Sequence, residues 1–147
     1  MIDQVKSELE CYLRQYGWSY YTEGKSVIRS GWQGSERSYP LLIEVCETWV
    51  SMKVQPLLAL NIDWETWPEI AVKILQLNDA TSFVKLVIDP EGKVGITLEI
   101  LNSSLSGEIF NNMLGILGYY ADMVFEELLE MLDQVGFSYC ESLDILT

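Results

Sequence analysis

The sequence contains no histidine. That absence excludes a Ser-His-Asp triad, a Cys-His nucleophile pair and every histidine-ligated zinc or haem site. Cysteine is scarce: Cys11, Cys46 and Cys140 form an odd set with no C-x-x-C spacing. A disulfide framework and a closed four-thiolate metal site are disfavoured, and buried or half-buried free thiols are expected. Bases are few, nine against 22 acids, for a formal charge of −13 over 147 residues. Phosphate backbones would be repelled, so no nucleic-acid partner is expected. No stretch approaches the roughly 20 apolar residues that span a bilayer. The opening MIDQVKSELE has neither the basic nor the apolar region of a signal peptide. No membrane partner is expected, and the setting reads as reducing and cytoplasmic.

Hydrophobic residues make up 49% of the chain, enough for one core, and residues 1–147 read as a single domain. The charge is unevenly spread. Residues 1–60 hold seven acids and six bases, residues 61–147 hold 15 acids and three bases, and no base follows Lys93. One end of the fold should carry a field of one sign.

Hydrophobic spacing predicts a helix over 3–16 through Val5, Leu9, Tyr12, Leu13 and Tyr16, with Asp3 as N-cap and Gly17 as stop. Residues 18–60 switch to period two. Leu41, Ile43 and Val45 alternate with Leu42, Glu44 and Cys46, and Val50, Met52 and Val54 alternate with Ser51, Lys53 and Gln55. Such alternation means an antiparallel sheet covered on one face. Pro56 reads as an edge position or a strand end. A second helix is expected over 66–79, opened by the capping box Thr66-Trp67-Pro68-Glu69 and burying Ile70, Ile74, Leu75 and Leu77. Asp89-Pro90-Glu91-Gly92 is a turn joining the strands 84–88 and 94–100. The longest helix runs over 106–135, capped by Ser106 and ended by Gly136, with a wide apolar stripe that includes Phe110, Leu117, Val124 and Leu128. Strands in blocks rather than alternation with helices predict an α+β fold: an antiparallel β-sheet with N-terminal, middle and long C-terminal helices packed on it.

The most specific residues lie in 74–135. Ile74-Leu75-Gln76-Leu77-Asn78 precedes the strand Phe83 to Ile88. Asp89-Pro90-Glu91-Gly92-Lys93 then turns into Val94 to Ile100. A small-polar loop, Asn102 to Ser106, leads to the helix containing Tyr120-Ala121-Asp122. This order, with these residues, resembles the YbjN domain family of bacteria, which has the fold of the type III secretion chaperones. The resemblance implies that fold and, as a function, a small acidic module that holds another protein. It brings no catalytic residue to carry over. The aromatic-rich stretch Trp18 to Tyr39 and the tail after Gly136 are not hallmarks of the family.

Three groups of residues are candidates for contact with a partner. Asp122, Glu126, Glu130 and Asp133 share one face of the long helix. They suit docking of a basic partner segment or loose capture of a divalent cation, and an ordinary solvated face is the plainer account of them. A calcium site needs six to eight converging oxygens, and no calcium-loop motif is present. The aromatics Trp18, Tyr20, Tyr21, Trp32, Tyr39 and Trp49 crowd the first half, and Trp64 and Trp67 flank the start of the second helix. They suit either sheet packing or a binding face. Gly115 and Gly118, each costing about 1 kcal/mol inside a helix, allow close approach of the protein's own sheet or of a second copy, giving a homodimer. No nucleophile–base set, Gly-rich phosphate loop or cofactor motif is present, so neither an enzyme nor a cofactor is expected. The leading expectation is a chaperone-like or regulatory protein-interaction module that binds an extended partner segment at a sheet edge and at apolar patches. The alternative is a small-ligand or divalent-cation-binding sensor domain.

Overall fold

The computed structural model describes the backbone of residues 1–60, 67–135 and 139–140. Helix α1, Ile2–Gln15, buries Val5, Leu9 and Leu13 on one side. Its N-cap is Met1, which has no side-chain cap; Asp3, expected there, instead lies in the first turn against the positive end of the helix dipole. The stop is as expected. Gly17 takes φ +80°, the Trp18 N–H donates to the Leu13 carbonyl and the Gly17 N–H to that of Arg14, which closes a Schellman motif.

Four strands follow: β1 (Tyr21–Glu23), β2 (Val27–Gln33), β3 (Ser38–Val45) and β4 (Trp49–Leu60). Helix α2, Trp67–Ala80, leads to the hairpin of β5 (Lys85–Ile88) and β6 (Lys93–Leu101), and a single 3-10 turn, Asn102–Ser104, leads to α3, Gly107–Val135. The spatial order is β1-β2-β3-β4-β6-β5, and every pairing is antiparallel. A two-residue strand β7 (Tyr139–Cys140), in the tail left unassigned by periodicity, pairs with Ala59 and Leu60 of β4. The expected α+β architecture is therefore the one observed.

The register explains how the sheet faces the helices. Ile28, Ile43, Met52 and Leu98 align across four strands, and Val54, Ile96 and Leu86 form the next row. All seven are buried and belong to one core with Leu9 and Leu13 of α1, Ile70 and Ile74 of α2, and Phe110, Leu117, Val124 and Leu128 of α3. The opposite face carries Glu44, Lys53, Lys85 and Glu99, paired across strands as Lys53–Glu44 (3.4 Å) and Lys85–Glu99 (3.2 Å). Period two thus sorts apolar side chains beneath the helices and charges to the open side.

Three further expectations fail. Pro56 is neither at an edge nor at a strand end. It lies inside β4, between β3 and β6, where the register with β6 shifts between Val54 and Leu58 and a missing N–H breaks no regular ladder bond. Strand β6 is buried on both faces from Val94 to Leu98, because Gly95 lies under the Gln55 side chain; a Cβ there would meet Gln55 Cδ at 2.8 Å. Leu75, read as a core residue of α2, is 68% exposed, since Ile70, Ile74 and Leu77 already fill the inward stripe. The Thr66 half of the expected capping box, Trp64 and Gly136 lie outside the described residues.

Candidate partner-binding groove

The Schellman stop of α1 turns the chain so that Trp18 comes to rest against the end of β2. The Trp18 and Trp32 rings meet edge to face, with centroids 6.0 Å apart. Trp32 in turn contacts Tyr39 at 5.4 Å, and Tyr39 reaches Phe125 of α3 at 6.4 Å. A run of aromatics therefore leads from the half-buried indoles into the core. This resolves the reading of the aromatics in favour of packing for Tyr39, while Trp18 and Trp32 keep part of their surface in solvent.

Helix α3 passes beside them. A Cβ at Gly118 would stand 3.6 Å from the Trp32 ring, an ordinary contact, and a Cβ at Gly115 would meet nothing within 4 Å. Packing within the chain therefore does not require glycine at 115. The helix surface is kept low there, and a concavity of about 420 Å³ opens between α3 and the β2–β3 turn. Trp18 and Trp32 form one wall, Leu114, Gly115 and Gly118 the floor, and Tyr119, 67% exposed, the outer rim. Tyr119 meets Tyr120 edge to face, with centroids 5.2 Å apart. The Tyr120 hydroxyl accepts the Ser82 N–H (3.2 Å), which ties the α2–β5 connection to α3. The neighbouring Phe83 has φ +71° and is 72% exposed, so an aromatic side chain occupies a left-handed backbone position with little burial in return.

The inner end of the groove is latched. The Tyr39 hydroxyl and the Ser35 N–H both donate to Asp122 Oδ1, at 2.8 and 3.2 Å. Gly34 is required by this closure, because a Cβ there would collide with the Tyr39 ring. Burial, reinforced by the hydrogen bond to Asp122, raises the Tyr39 phenol well above its ordinary range, which keeps it a proton donor. Arg37, 5% exposed, lies 5.0 Å over Phe125 and 5.7 Å over Tyr39, and donates to the Leu57 carbonyl at 2.9 Å. The turn between β2 and β3 is thus fixed to α3 by the Asp122 contacts and to β4 by the buried Arg37 contact.

No protein-family model and no curated protein matches the chain. Solved structures do match. YbjN of E. coli superposes with a TM-score of 0.68 at 10% identity, covering 97% of this chain and 99% of the other. A chain of the heterodimeric ExoU–SpcU complex of the Pseudomonas aeruginosa type III secretion system gives 0.56 at 18% identity, covering 86% and 97%. The Yersinia pestis type III secretion chaperone SycH, in complex with a stable fragment of YscM2, gives 0.54 at 13% identity, covering 81% and 98%. The chain has the YbjN and secretion-chaperone fold.

Within that fold the predicted site residues separate. Asp122 is the groove latch, with its Oδ1 engaged by two donors, so it is set apart from the acidic stripe. Glu126, Glu130 and Asp133 are exposed further along α3, while Glu127 is paired with Lys73 of α2 at 2.9 Å. Among the described residues no three Cys, Asp or Glu side chains gather as metal ligands. Trp67 packs half-buried against the core at the start of α2, and Trp64 lies outside the described residues. Tyr119 was not singled out from the sequence; its signal is its place beside Gly118, just off the apolar stripe.

The sheet edges also differ from the simple expectation of strand addition. On β5 the Leu86 N–H donates to Asn78 Oδ1 at 2.7 Å, and Asn78 Nδ2 faces the Leu86 carbonyl at 3.5 Å. The carboxamide occupies the place of a neighbouring peptide group and blocks that edge. The other edge, β1, is three exposed residues long. Among the described residues no helix is long and apolar enough to cross a membrane.

Proposed function

We propose that the chain is a non-enzymatic, chaperone-like module that holds a segment of a partner protein in the groove between Trp18, Trp32 and α3. The observation that carries this reading is the pair of glycines facing two half-exposed indoles. Helix stability is given up at Gly115 with no packing need inside the chain, and aromatic surface beside it is left uncovered. Rigid indole and phenol faces of this kind supply contact area at low entropic cost. Two structures that share the fold, ExoU–SpcU and SycH with YscM2, are complexes with protein partners, which supports the same reading here. Strand addition, if used, falls to the β1 side, because Asn78 covers β5.

The test is affinity capture from native lysate by the unchanged protein and by Gly115→Trp, with thermal unfolding of both. A tryptophan at 115 fills the groove from an exposed helix position, so the fold survives. The proposal requires partners retained by the unchanged protein and lost with Gly115→Trp at unchanged Tm. Equal capture by both would sink it.

A further inference from the structure

A second surface lies on the other side of α3, where α2 packs beside its C-terminal half. Val72, 53% exposed, and Met131 leave an apolar trough of about 370 Å³ on the seam of the two helices. Lys73 also lines the trough, but its charge is matched by Glu127 across the seam at 2.9 Å. Glu69 stands on the α2 rim. On α3, Glu130 lies about 60° from Glu127 and about 100° from Met131 around the helix, since each residue advances by about 100°, which sets it on the outer rim of the seam. Both rim carboxylates, Glu69 and Glu130, are exposed, and among the described residues neither has an ion-pair partner. The apolar trough is therefore bordered on both sides by uncompensated negative charge.

That border decides the occupant. A second copy would bring Glu69 and Glu130 of each chain toward those of the other, in a protein of net charge −13. Like charges brought together in this way oppose association. A helix with apolar residues on one stripe and Lys or Arg on its flanks meets both the trough and the rim. From these facts we infer that the α2–α3 seam docks a basic amphipathic helix of a partner protein. The inference rests on the protein-binding reading above but places the contact away from the aromatic groove. Apolar anchors of the guest sit over Val72 and Met131, and its bases reach Glu69 and Glu130. Helix α2 has 14 residues, so a guest of about four turns spans the seam.

The test uses a synthetic helical peptide of about 14 residues, with Leu at i, i+3, i+4 and i+7 and Lys elsewhere, against a counterpart carrying Glu in place of Lys. Binding is read by calorimetry at low and high salt. The Lys peptide is expected to bind and the Glu peptide not. Val72→Asp, at an exposed position that leaves the fold intact, is expected to weaken binding by about tenfold or more, although it adds an attractive charge. The double change Glu69→Gln and Glu130→Gln is expected to weaken binding at low salt and to flatten its salt dependence. Val72→Asp binding as well as or better than the unchanged protein would mean charge attraction alone and would overturn the inference. So would a chain that dimerises through this seam, shown by sedimentation, and ignores the peptide. Gly115→Trp serves as the separating control: it blocks the aromatic groove and leaves peptide binding unchanged, so failure of one surface is distinguishable from failure of the other.

Discussion

The two halves of α3 bury the same kind of side chain inward and present opposite chemistry outward. Residues 107–121 carry a single charge, Glu108, and place Gly115, Gly118 and Tyr119 beside two indoles. Residues 122–135 carry five acids and no base. A shared inward stripe, from Phe110 and Leu117 to Val124, Leu128 and Leu132, binds both halves to one sheet. Stability is therefore common to the halves, and on the proposed reading recognition divides between shape in the first and charge in the second.

The comparison breaks first if the inward faces are not equivalent. Leu117→Ala and Leu128→Ala, one from each half and both fully buried, should each cost about 2–5 kcal/mol, read as a fall in urea midpoint with unchanged slope. A large effect in one half alone would show that the other is only loosely attached. The acids sharpen the contrast next. Asp122→Ala removes the acceptor of both Tyr39 and Ser35 and should cost about 1–3 kcal/mol. Glu126→Ala and Glu130→Ala, the same class of change on the same helix, should be neutral or stabilising by a few tenths of a kcal/mol, because like charges near a helix C-terminus repel. Thermal unfolding of the three variants side by side decides this.

Gly115→Ala tests whether the low surface costs stability. Nothing lies in the way of the added Cβ, so the helix should gain up to about 1 kcal/mol while partner capture weakens. The smallest effect concerns alkaline pH. The folded-state pKa of Tyr39 is raised by burial and by Asp122. The contribution of its neutral phenol is therefore fully present below the ordinary tyrosine value of about 10 and is lost as pH rises past it. Unfolding free energy measured from pH 8 to 11 should decline more steeply for the unchanged protein than for Tyr39→Phe.

Much of the architecture was legible because it depends on local period. The alternation in 41–54, the turn at Asp89–Gly92 and the stripe of α3 each state their inward face without reference to a partner element. What stayed hidden depends on neighbours. Pro56 inside β4 and the two-sided burial of β6 follow from where those strands sit in the sheet order, which no local pattern encodes. The groove was visible only in pieces. The indoles, the helix glycines and Asp122 were each conspicuous, but the chain distance from Ser35 to Asp122 conceals that one hydrogen bond joins them. Grouping Asp122 with Glu126 by helical spacing was sound geometry, yet the Tyr39 hydroxyl assigns it a different task. The guard at β5 was equally hidden, since Asn78 looks like a helix end until Leu86 is placed beside it.

The claim that most depends on the geometry is that a partner segment lies between the indoles and the glycine side of α3. Backbone hydrogen exchange of the free and partner-bound protein measures this directly. Slowed exchange confined to residues 111–119 and the stretches around Trp18 and Trp32 is the predicted footprint. A footprint on the open charged face of β3, β4 and β6, with the groove amides unchanged, would contradict the account.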